Sequence, residues 1–79
     1  MKYNPFTAVL FGLRPPGVQI EARYCCDRQY TEYRFIRLSD GLWCQQMVSD
    51  DLVYQVFSVT DLAEHILDVV ARNFAESAA

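Results

Sequence analysis

In Val18-Gln19-Ile20-Glu21-Ala22-Arg23-Tyr24-Cys25-Cys26, apolar and polar side chains take turns. Val18, Ile20, Ala22, Tyr24 and Cys26 fall on one side, and Gln19, Glu21, Arg23 and Cys25 on the other. Period-two alternation predicts a strand with one face buried and one face wet. Upstream, Gly12-Leu13-Arg14-Pro15-Pro16-Gly17 is a turn or short loop, because two prolines between glycines continue neither a helix nor a central strand. The apolar run Phe6–Phe11 before it has strand length. Downstream, Asp27-Arg28-Gln29 can turn the chain. Tyr30–Leu38, rich in aromatic and β-branched residues, reads as a further strand.

Ser39-Asp40-Gly41 then signals a hairpin, since Asp and Gly both tolerate positive φ. Leu42–Val48 is the return strand, Ser49-Asp50-Asp51 a polar break, and Leu52–Phe57 a fifth strand. The last segment changes period. Ser58 and Asp61 fit a capping box, flanked by Phe57 and Leu62 at the staple positions, with Thr60 as an alternative cap. Leu62, Ala63, Ile66, Leu67, Val69, Val70 and Phe74 form an apolar helical stripe; Asp61, Glu64, His65, Asp68, Arg72 and Glu76 lie opposite. The tail Ser77-Ala78-Ala79 is expected to fray.

The expected fold is therefore α+β: an antiparallel sheet of four or five strands with one C-terminal helix across one face, in the order β-β-β-β-β-α. A single domain spans residues 1–79. A chain of this size buries roughly 60–65% of the surface its unfolded form exposes. Net stability is expected at ~3–5 kcal/mol unless a partner or second copy adds to it. Eleven aromatic residues help, because rings supply much burial per residue.

The net charge of −3 is unevenly spread. Residues 1–37 carry Lys2, Arg14, Arg23, Arg28, Arg34 and Arg37 against Glu21, Asp27 and Glu32, a balance of +3. Residues 38–79 carry Asp40, Asp50, Asp51, Asp61, Glu64, Asp68 and Glu76 against Arg72, a balance of −6. One mildly basic and one acidic side are expected. An odd cysteine count, with Cys25 and Cys26 adjacent and Cys44 distant, is no disulfide framework and points to reduced thiols in a cytoplasmic setting. No convincing secretion signal is present, and no run approaches the ~20 apolar residues a bilayer span needs.

Catalytic and metal signatures are lacking. Adjacent Cys25 and Cys26 point to opposite faces of a strand, and no Cys-x-x-Cys spacing joins them to Cys44 or His65. Cys25, on the polar side near Arg23, is the better candidate for a reactive thiol. His65 lies near Asp61 and Asp68 as a solvated helix residue, and Asp50-Asp51 is explained by turn chemistry. No glycine-rich phosphate loop precedes a helix. No catalytic residue, metal or cofactor is expected.

What remains is recognition. Tyr33 and Phe35 point opposite to Ile36 and Leu38, and Trp43 and Met47 opposite to Leu42, Cys44 and Val48. Large apolar groups therefore occupy both faces of the sheet, and one helix covers one face. The other face calls for a protein partner or self-association. The candidate protein-binding residues are Tyr33, Phe35, Trp43 and Met47, with the acidic helix residues Asp61, Glu64 and Asp68 as an electrostatic dock. The alternative is a single-stranded nucleic-acid module using Arg23, Tyr33, Arg34, Phe35 and Arg37, since rings stack bases beside phosphate-binding arginines. The acidity of the whole chain argues against it. A homodimer through a sheet edge or the uncovered face is a further expectation. No motif assigns a family. As a class, the chain resembles the very small acidic α+β inhibitors encoded by phages and mobile elements, anti-CRISPR proteins among them. That resemblance implies a non-enzymatic viral protein that blocks a host complex by occupying a surface.

Overall fold

The computed structural model describes residues 5–77. The fold is α+β, with helix α1 (Pro5–Gly12), strands β1 (Val18–Cys25), β2 (Tyr30–Arg37) and β3 (Trp43–Ser49), and helices α2 (Asp50–Gln55) and α3 (Val59–Ser77). The strands form one antiparallel sheet in the order β1-β2-β3. Of the tail expected to fray, Ser77 is the last residue of α3, and Ala78 and Ala79 lie outside the described residues.

Two expected strands are helices. Residues 6–11 lie in α1, where Pro5 occupies the first turn and Phe6, Thr7 and Leu10 are buried. Proline suits that position because its missing N–H has no helical partner there and its φ is already helical. Two adjacent buried residues followed by a third one turn later trace a helical stripe, not alternation. Residues 52–55 lie in α2, whose cap is Ser49: its Oγ accepts from the Leu52 N–H at 3.1 Å. Asp50 and Asp51 then sit in the first turn, where carboxylates favour the positive end of the helix dipole.

The segments read from alternation and capping form as expected. Pro15-Pro16-Gly17-Val18 closes a tight turn, with the Val18 N–H donating to the Pro15 carbonyl at 3.4 Å and Gly17 at φ 76°. Proline then positive-φ glycine is the type II pattern. The β2–β3 loop is longer than a two-residue hairpin: the Arg37 N–H donates to Leu42 O, and the Gly41 N–H to Arg37 O, each at 2.7 Å. Gly41 alone in this loop takes positive φ. Ser58 caps α3, accepting from the Asp61 N–H at 3.2 Å.

Asp40 ties this loop to the core. Its carboxylate accepts Arg37 Nε at 3.0 Å, Arg37 Nη2 at 2.6 Å and the Leu42 N–H at 3.1 Å. Arg37 also donates to the Phe74 carbonyl at 3.2 Å and lies over the Phe74 ring. The Arg37 hydrogen bonds, helped by Leu42, hold the Asp40 carboxyl down at about 2. A folded-state value below the ordinary 3.8 means the contribution is present above that value and is lost as pH falls toward 2. Asp40→Asn is therefore expected to flatten the fall of stability across that acid window. Urea unfolding of both proteins over the same pH series checks it.

One core lies between the sheet and the α1/α3 layer. It contains Phe6 and Leu10 of α1, Ile20 of β1, Tyr33 and Phe35 of β2, Val48 of β3, Val53 of α2, and Ala63, Ile66, Val70 and Phe74 of α3. The α3 spacing of three and four residues is the core stripe of an amphipathic helix. Phe6 meets Tyr33 edge to face, with ring centroids 5.6 Å apart. The buried Tyr33 hydroxyl hydrogen-bonds Thr7. Burial raises the Tyr33 pKa, partly offset by hydrogen bonds with Thr7 and Thr31.

Candidate interaction surface

Register determines which side chains share a face. Ile20 pairs with Phe35, Ala22 with Tyr33 and Tyr24 with Thr31; Phe35 pairs with Cys44, Tyr33 with Gln46 and Thr31 with Val48. Paired residues lie on one face, and this face meets the helices. The other face is built from four rows: Gln19, Ile36, Trp43; Glu21, Arg34, Gln45; Arg23, Glu32, Met47; Cys25, Tyr30, Ser49.

The seven residues expected to bind a protein partner therefore occupy three places. Tyr33 and Phe35 are wholly buried in the helix-facing core, so they are corrected from surface to core. Trp43 and Met47 stand on the opposite face, 54% and 58% exposed. Asp61, Glu64 and Asp68 are exposed on α3, in the layer behind the other side of the sheet. Asp68 is already paired with Arg72 at 2.7 Å, one turn on. The reason is register: the five-residue connection from β2 to β3 sets Tyr33 and Phe35 beside Gln46 and Cys44, not beside Met47 and Trp43.

On the open face the Arg34 guanidinium sits over the Trp43 ring, 4.7 Å from its centroid, while Nη1 of Arg34 lies 4.0 Å from a Glu21 oxygen. A cation over an exposed indole contributes about 0.5–1 kcal/mol. It also favours this pose of the ring, whose exposed surface lies beside half-buried Ile36. The charges alternate across the strands: Glu21 faces Arg34, and Arg23 faces Glu32. Positive charge is thus balanced row by row.

That balance bears on the nucleic-acid alternative. Tyr33 and Phe35 are buried and cannot stack on a base as placed. Arg37 is held by Asp40 and the Phe74 carbonyl on the helix-facing side. Of the five residues expected for that role, Arg23 and Arg34 alone share the open face, each opposite a glutamate.

The thiols are dispersed. Cys25 is half-buried on the open face, Cys26 exposed past the end of β1, and Cys44 half-buried on the helix side; all three are free. Cys26 and Tyr24, expected inside, are exposed, and the Tyr24 hydroxyl donates to the Asp50 carboxylate of α2 at 2.8 Å. Burial pushes the Cys44 thiol up, moderated by a hydrogen bond with Asn73. His65 is exposed on α3. Among the described residues, no three His, Cys, Asp or Glu side chains gather as a metal ion would need. No helix among them is long and apolar enough to cross a membrane.

Sequence reasoning missed Tyr54 and Phe57. Both were assigned to a fifth strand, but Tyr54 projects from α2 and Phe57 from the α2–α3 link, and both are highly exposed. Their signal was the Ser49-Asp50-Asp51 cap. Comparison with protein-family models, with curated proteins and with solved structures finds no match to this chain.

Proposed function

We propose that this protein acts by contact with another protein and performs no bond chemistry, with the open sheet face around Trp43 as its docking surface. The observation that carries this reading is a tryptophan and a methionine, both more than half exposed, on one sheet face that no helix among the described residues covers. Tryptophan and arginine are the residues most often found at the energetic centre of protein interfaces, and methionine adapts to irregular partner surfaces. Here Arg34 biases the indole toward one orientation before a partner arrives, which lowers the ordering cost of binding.

Free thiols fit action in a reducing, cytoplasmic compartment. An inhibitor of the phage-encoded, anti-CRISPR type would use the same surface, blocking a larger complex by covering part of it.

Affinity capture with two variants tests the reading. Trp43→Ala combined with Met47→Ala is expected to lose the partner that the unmodified protein recovers. Asp61→Asn combined with Glu64→Gln and Asp68→Asn is expected to keep it. The opposite result transfers docking to the acidic side of α3 and overturns the sheet-face reading.

A further inference from the structure

The sheet has two edges, β1 and β3. An edge strand presents unpaired backbone N–H and C=O groups, and charged side chains are the usual means of keeping another strand away. β3, Trp43–Ser49, carries no charge. β1 carries Glu21 and Arg23 on its outer face, two residues apart with Ala22 between them. That spacing repels a generic strand but is complementary to itself.

We infer that β1 pairs with β1 of a second copy, antiparallel about a two-fold axis at Ala22, to make a continuous six-stranded sheet. In that register Ala22 faces Ala22 of the second copy, Glu21 faces its Arg23, and Arg23 faces its Glu21. Within one copy Arg23 already faces Glu32, and Glu21 faces Arg34. One row across the joined open face then reads Glu32, Arg23, Glu21, Arg34, with opposite signs at every step; the symmetry-related row reads the same in reverse. A shift of one residue in the pairing would move these charges to the helix side. A shift of two would break at least one of the charge pairs.

The helix side agrees. The register sets Tyr24 across from Ile20 of the second copy. Tyr24 is 48% exposed and Ala22 only half-buried, so apolar surface remains at this edge for a neighbour to cover. A two-fold interface of this kind is closed, because each copy uses the same patch. It leaves both β3 edges and both Trp43 surfaces free, so it does not depend on the docking role proposed for them.

Charge reversal tests the pairing. The unmodified protein is expected to sediment as a concentration-dependent dimer, and added salt to weaken it because the pairs are exposed. Glu21→Arg alone and Arg23→Glu alone each set like charges across the axis, and each is expected to weaken the dimer on the order of tenfold or more. Mixed in equal amounts, the two variants are expected to form a heterodimer, since every cross-axis pair is opposite in sign again. That rescue also shows that each variant is folded. In the unmodified protein, β1 amides are expected to gain protection from hydrogen exchange as concentration rises, and β3 amides are not. Trp43→Ala is expected to leave the dimer unchanged. A monomer at all concentrations, a dimer strengthened by salt, protection confined to β3, or a mixture that stays monomeric would each overturn the inference.

Discussion

Replacing Phe6 with alanine is expected to unfold most of the domain at room temperature. Phe6 has no exposed surface and lies against Tyr33 in an edge-to-face contact. Truncating a buried phenylalanine costs about 3–5 kcal/mol through lost burial and the cavity left behind. A domain of this size holds ~3–5 kcal/mol in total, so the two quantities meet. The loss extends beyond one side chain. Phe6 and Leu10 attach α1 to the core, and Thr7 in the same turn hydrogen-bonds the buried Tyr33 hydroxyl. Once α1 detaches, that hydroxyl loses this protein partner in an apolar setting. Phe11→Ala provides the contrast. Phe11 is in the same helix but 41% exposed, and its loss is expected to cost about 1 kcal/mol or less. Circular dichroism with urea titration of the two variants checks the pair. A cooperative transition for Phe6→Ala within ~1 kcal/mol of the parent would show that α1 is not part of the core.

The same segment shows where sequence reading stops. Period-two alternation in Val18–Tyr24, the Asp40-Gly41 loop and the Ser58 cap all encode their structures locally, and each forms. Phe6–Phe11 does not encode its structure in periodicity, because a short apolar run fits a buried strand and a buried helix equally. The deciding signal was one residue outside the run, Pro5 at the first helical position. For Leu52–Phe57 the signal was Ser49 with two aspartates after it, a helix start that also looks like a polar turn.

The candidate site was half legible for a different reason. Opposed faces within one strand follow from the pleat alone, so Trp43 and Met47 were correctly set against Cys44 and Val48. Which face of β2 joins which face of β3 depends on the connecting loop. The loop from Leu38 to Leu42 puts Tyr33 and Phe35 with the helices. Two rings expected at the surface are thereby the centre of the core, and the exposed apolar surface of the open sheet face reduces to Trp43, Met47 and part of Ile36.

Trp43→Ala is expected to separate binding from folding: near-parental stability with loss of partner affinity by about two orders of magnitude. The stability side follows from exposure. Trp43 is 54% exposed, so its truncation forfeits partial burial against Ile36 and the Arg34 cation–π contact. The cation–π contact contributes about 0.5–1 kcal/mol at such a site. No enclosed cavity forms, because the side chain is more than half exposed. The binding side follows from the opposite property. A large aromatic surface, already oriented, is removed from the β3 edge of the open face, and truncation of such anchors typically costs 2 kcal/mol or more of affinity. Since 1.4 kcal/mol corresponds to about tenfold, a loss of 2–3 kcal/mol is ~30- to 150-fold in Kd. Trp43 is also the single tryptophan of the chain, so intrinsic fluorescence of the unmodified protein reports on this position alone. Partner binding there must shift its emission and shield it from a soluble quencher. Unchanged emission and quenching in a saturated complex, together with parental affinity for the alanine variant, would place the contact elsewhere on the molecule.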